Sequence, residues 1–141
     1  MDNKCSTSFC IKGDFDVDRV ISLLGINPYR VIRHDEIRKA DHKAYGFDFL
    51  ELSRNEDYDV YVTKMMEKTI RPLLDKKDVL NNIKKEYHVE YYLKVVPHLV
   101  VNQINPALGP SLEVIDFLHD IRGELDIDLY LYNGEDEDEE C

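Results

Sequence analysis

Glycine is scarce, six residues in 141 with none closely clustered, and this excludes the glycine-rich phosphate cradle on which many nucleotide sites are built. No G-x-S-x-G elbow occurs, nor any cysteine–histidine pairing with a local signature, so the common patterns of nucleophilic hydrolysis are missing. The three cysteines, Cys5, Cys10 and Cys141, are odd in number and form no C-x-x-C pair. That spacing argues against a zinc or redox motif and predicts free thiols in a reducing compartment. Cys141 also lacks the three following residues that a prenylation motif requires. No segment approaches the roughly 20 apolar residues of a membrane span, and the N-terminus has no apolar stretch of signal-peptide length. The expected location is therefore cytoplasmic, with no membrane partner. His34, His42, His88, His98 and His119 show no H-x-x-x-H or H-E-x-x-H spacing. They read as scattered surface residues, and neither a metal nor a cofactor is expected.

What is present describes one folded domain. The length suits a single core, and 43% hydrophobic with 33% charged residues supplies enough apolar surface to build it. The net charge is −11, six of it carried by Glu135, Asp136, Glu137, Asp138, Glu139 and Glu140. Such a chain is repelled by phosphate backbones and anionic lipid, so a nucleic-acid partner is not expected and a basic protein partner is the easier case.

Along the chain, residues 8–12 alternate Phe9 and Ile11 with polar neighbours, the period of a half-buried strand. Asp16 then caps a helix to Leu24, with Val17, Val20, Ile21 and Leu24 on one face and Gly25 as its left-handed stop. Residues 29–33 predict a second strand, 34–43 an exposed charged loop, and 47–53 a third strand, apolar on both faces and central in the sheet. Asp57 or Asp59 opens the next helix, whose stripe is Val62, Met66, Thr69, Ile70 and Leu73. Pro72 must break or kink it, since an interior proline costs about 3 kcal/mol, and a short helix over 76–86 follows.

Residues 89–96 alternate most clearly of all, with Pro97 ending the strand and 98–104 as a short edge strand. Ser111 caps a helix lined by Val114, Phe117, Leu118, Ile121 and Leu125. Ile127, Leu129 and Leu131 form one last strand. The single domain spans residues 1–134, and the acidic tail, 135–141, is too charged to pack and is expected to be disordered. Two strand–helix–strand units, 8–33 and 90–132, need right-handed crossovers, which place their helices on one face. An α+β ferredoxin-like two-layer sandwich, with a mainly antiparallel sheet and helices on one face, satisfies this with the fewest assumptions.

Three sets of residues are candidates for chemistry. Asp14, Asp16 and Asp18 imitate the first half of a calcium loop, but Arg19 stands where glycine is needed and Gly25 where glutamate is needed, so helix capping is the better account. Asp126 and Asp128 share a strand face and, with Asp14, define a metal-dependent enzyme as the alternative reading. Their alternation with Ile127 and Leu129 is equally that of a solvent-facing strand. Tyr87, Tyr91, Tyr92, Tyr130 and Tyr132 gather in two segments. Tyr92, Tyr130 and Tyr132 are the candidate partner-binding residues, on a sheet face away from the helices, because tyrosine buries a large ring and keeps a polar tip wet. A structural homodimer closing that face is a further alternative.

Residues 9–16 (FCIKGDFD) leading into 23–28 (LLGINP), residues 46–53 (GFDFLELS) and residues 125–130 (LDIDLY) together resemble the bacterial domain-of-unknown-function family numbered 4279. The resemblance covers nearly the whole chain up to Tyr132. The chain carries the aromatic Phe49 where tryptophan is often found in the family pattern, and departs from that pattern in its acidic tail. The resemblance implies the fold and a bacterial source, with no assigned activity. By analogy of fold and size alone, small proteins of this type look like immunity proteins of toxin loci. The expected function is a non-enzymatic protein-binding module.

Overall fold

Cys5, Thr7, Phe9 and Ile11 are completely enclosed, and Ser8 and Cys10 on the opposite side are nearly so. A strand buried on both faces belongs in the middle of a sheet, and that is where β1 (Lys4–Gly13) lies. The computed structural model describes residues 2–58 and 61–133. Asp59 and the tail 135–141, to which capping and disorder were assigned from sequence, fall outside the described residues.

β1 pairs antiparallel with β3 (Asp48–Asp57) on one side and with β4 (Glu90–Val100) on the other. β2 (Arg30–Ile32) pairs antiparallel with β3. β5 (Glu124–Ile127) and β6 (Tyr130–Tyr132) both run parallel to β4. The strand order is β2-β3-β1-β4-β5, with β6 continuing along β4 beyond β5. The fold is therefore α+β with a mostly antiparallel six-stranded sheet.

Helix α1 (Val17–Leu24) begins where expected, with the Asp16 carboxylate accepting from the Arg19 N–H at 3.1 Å. It stops at Gly25, whose φ of 65° suits glycine and whose N–H donates to the Ile21 carbonyl at 2.9 Å. Helix α2 (Val62–Ile70) ends before Pro72, which sits at the start of a 3-10 turn (Arg71–Lys76), where a missing N–H does least harm. Helix α3 (Lys77–Tyr87) follows, and α4 (Leu112–Asp120) comes after β4. α2 rests on β1 and β3 and touches α4, while α1 packs on β3 and α3, so the helices form one layer. The core lies between that layer and the sheet, where the Phe9 ring meets Tyr91 at 5.7 Å and Phe117 at 5.9 Å. Each such enclosed side chain contributes about 1.5–3 kcal/mol of burial.

Four expectations are corrected. β4 does not end at Pro97 but runs through it to Val100, so the expected edge strand from residue 98 is its continuation. The last strand is two short ones, and the same proline explains the gap. Asp128 donates its N–H to the Val95 carbonyl at 2.8 Å. In a parallel ladder the return bond to Asp128 would come from residue 97, which has no N–H, and pairing resumes only at Tyr130. Ser111 occupies the N-cap position of α4, yet its hydroxyl makes no capping bond and is buried without a partner among the described residues. Asp57, the other proposed cap of α2, ends β3, and Tyr61 stands at that N-cap.

Candidate functional site

Even-numbered residues of β1 and β4 point away from the helices, and so do Glu124, Asp126, Asp128, Tyr130 and Tyr132 along the β5–β6 border. A shallow groove of about 310 Å³ runs over this face, lined among others by Ser6, Ser8, Arg30, Lys94, His98 and Tyr130 and by no helical residue. Among the described residues no helix covers this surface of the sheet, which is screened only by its own side chains.

Charge of both signs is arranged across it. Glu51 is almost wholly buried and accepts from the Arg54 guanidinium at 3.1 Å; Arg54 also reaches Glu56 at 3.4 Å and lies over the Tyr29 ring at 5.1 Å. Lys94 stands 3.5 Å from Asp128. Arg30 lies over Phe49, 5.9 Å from its centroid. Cys10 is buried beneath these side chains, and burial pushes its thiol up to about 11. Tyr92 crosses above Cys10, and its phenol is raised above the ordinary range by burial first and then by the Cys10 and Asp126 charges.

The aromatic part of the face is at the β4–β6 junction. His98 stacks on Tyr130 with centroids 5.0 Å apart and planes 9° from parallel, and on Tyr132 at 5.6 Å and 17°. The Tyr132 hydroxyl is 2.8 Å from His98 Nδ1. Burial holds the imidazole below its ordinary pKa, assisted by the Lys4 charge, so the neutral ring is favoured. The three tyrosines singled out from sequence thus share one surface, Tyr92 half-buried and Tyr130 50% exposed. Tyr91 is turned to the helix layer and donates to the Leu80 carbonyl at 2.6 Å, whereas Tyr87 is no strand residue but the last residue of α3, packed edge-on to Phe15.

His98 has no metal-ligand spacing to mark it out in the sequence. Its even position in a strand extended past Pro97 was the available signal. His34 is likewise no isolated surface residue. Asp48 opens β3 almost fully buried, accepts from the Phe15 N–H at 3.1 Å and the His34 N–H at 2.9 Å, and lies 2.9 Å from His34 Nδ1. Burial alone would raise its carboxyl, but these bonds outweigh burial and hold it below the usual range. The bond and charge of Asp48 raise His34. Asp14, His34 and Asp48 offer ligand atoms within 4.8 Å of one another.

The structure does not bring Asp14 to Asp126 and Asp128. Lys94 pairs with both Ser8 and Asp126, and Asp14 lies six residues beyond Ser8, about 20 Å further along the sheet at 3.3 Å per residue. A wider depression of about 1060 Å³ lies beside the start of α2, lined by Tyr58, Tyr61, Lys64 and Ile104 among others. Among the described residues it brings no set of reactive groups together.

A family model described as "Domain of unknown function (DUF4279)" matches residues 3–132. No curated protein and no solved structure matches the chain. Among the described residues no helix is long and apolar enough to cross a membrane.

Proposed function

We infer the function of this chain, which belongs to the DUF4279 family, from the chemistry of its open sheet face: it is a non-enzymatic protein-binding module whose partner is basic. The first four strands, in the order β2-β3-β1-β4 with α1 and the α2–α3 pair as crossovers, read as a ferredoxin-like core, and α4 with β5 and β6 extends it. The single observation that carries the reading is the Tyr130–His98–Tyr132 stack on the side of the sheet without helices. Preorganised aromatic rings lose little side-chain entropy on binding and make good anchors for a protein surface. Glu124, Asp126 and Asp128 border that stack and would meet cationic residues of the partner. An immunity or inhibitor protein that blocks a basic target would need this combination of small size, acidity and a rigid aromatic face.

The test is a pull-down with the full chain. Tyr92→Ser with Tyr130→Ser should keep the thermal unfolding transition and lose a basic protein that the wild type captures in low salt and releases in high salt. Equal capture by the double variant would refute the reading.

A second reading rests on Asp14, His34 and Asp48. Imidazole and carboxylate are the donor set of a divalent transition metal. Asp48, already accepting three hydrogen bonds, suits the outer position that orients a metal-bound histidine. That leaves fewer ligands than the three or four of a stable zinc site, which ranks this reading second. Zinc should raise the melting temperature of the wild type and not of Asp14→Asn if the site binds metal.

A further inference from the structure

The free border of the sheet is a strand edge with its own chemistry. Among the described residues β5 pairs with β4 alone and β6 with β4 alone, so the outer side of residues 124–132 faces no described strand. Asp128 turns its N–H inward to Val95. Backbone direction alternates along a strand, so Leu125 and Ile127 turn their N–H and C=O groups outward to the open side. The side chains along this edge are sorted by sign and polarity. Glu124, Asp126 and Asp128 stand on the uncovered face. Ile127, Leu129 and Leu131 stand on the other, 39%, 47% and 65% exposed. From Gly123 to Cys141 the sequence has nine carboxylate side chains and no lysine, arginine or histidine.

An open edge carrying exposed apolar residues is a hazard unless something pairs with it. The charges select what can. Antiparallel pairing of β5 with β5 of a second copy would set carboxylates against carboxylates, and like charges on facing strands are destabilising. A strand with lysine or arginine at alternate positions and apolar residues between them would place cations beside Glu124, Asp126 and Asp128. Its apolar side chains would then lie beside Leu125, Ile127 and Leu129. We propose that the β5–β6 edge binds a basic extended segment of another protein by strand addition, with residues 124–132 as the template. This rests on the binding-module reading and specifies its partner's form: the segment lengthens the sheet next to the tyrosine stack. Residues 124–132 offer about 30 Å of template at 3.3 Å per residue.

The probe is a nine-residue peptide alternating lysine and valine, with blocked ends, set against a peptide of equal composition whose lysines and valines stand in two blocks. Fluorescence titration of the full chain in low salt should show the alternating peptide binding and the block peptide binding far more weakly. Native hydrogen exchange should show the Leu125 and Ile127 amides slowed by the alternating peptide. Ile127→Pro removes an outward N–H and leaves the inward ladder to β4 intact, and it should weaken binding by roughly tenfold. Asp126→Lys, which does not touch the backbone, should weaken it as well and guards against a folding defect in the proline variant. Equal binding of the two peptides, or unprotected Leu125 and Ile127 amides, overturns the edge while leaving the basic-partner reading standing. Absence of binding by either peptide in low salt overturns both. Chain association that grows with concentration and is abolished by Ile127→Pro would make a second copy the occupant and overturn the proposal. In that case Arg30 at the β2 border would be the cation that meets the acidic edge.

Discussion

His98 and Tyr130 lie face to face, 5.0 Å between ring centroids, because β4 and β6 run parallel with these two residues in register. The pair exists only because β4 continues through Pro97. Without that continuation His98 would be loop and β6 would have nothing to pair with.

The stack makes His98 a reporter of the face. Burial, then the Lys4 charge, lowers its pKa from 6.5, with Glu56 opposing. A depressed pKa means that the folded state binds fewer protons than the unfolded one. The stability this gives is fully present above about pH 6.5 and is lost as pH falls through the lowered value. NMR titration of the imidazole should find its midpoint below 6.5. Tyr132→Phe, which removes the hydroxyl beside Nδ1, should move the midpoint upward.

His34 and Asp48 have the opposite sense. Asp48 raises His34, so that histidine's contribution is present below pH 6.5 and lost as pH rises through its raised value. The lowered Asp48 contributes above its ordinary 3.8 and loses that as pH falls through the lowered value. The pair therefore stabilises most between those limits. His34→Gln should cost more stability near about pH 5 than near about pH 9 in urea unfolding, and an equal cost at both would contradict the assignment. Asp48→Ala strands the Phe15 and His34 N–H groups and should cost about 2–4 kcal/mol.

Ser111→Ala should break the usual rule for an N-cap. Replacing a capping serine ordinarily costs about 1 kcal/mol. Here the hydroxyl is buried and makes no bond among the described residues, so thermal unfolding should show no loss and a gain of up to about 1 kcal/mol. A clear destabilisation would mean that the hydroxyl is paired in solution.

Cys5 and Cys10 should be inert in the folded protein. Burial pushes both thiols up to about 11, so little thiolate forms at neutral pH. A thiol-specific reagent at about pH 8 should leave both unmodified until denaturant is added, which peptide mapping would establish.

Much of this fold is legible residue by residue. Val17, Val20 and Leu24 at helical spacing, with Asp16 before and Gly25 after, fix α1 because capping and periodicity are local. Tyr91, Leu93 and Val95 fix the inward side of β4 in the same way, and with it the outward side on which Tyr92 falls. Pro97 misleads because the cost of a missing N–H depends on which neighbour that position faces. Here it faces the gap between β5 and β6, a fact of pairing rather than of composition.

The sequence by itself determined the α+β class, most element positions, the acidic balance and the two faces of each strand, since these follow from side-chain period and local backbone preference. Only the tertiary structure decided that β6 sits beside the end of β4, where Tyr130 and Tyr132 enclose His98. It alone separated Asp14 from Asp126 and set it beside His34 and Asp48. Strand order and register join residues far apart in the chain, and no local periodicity encodes which strand edges meet.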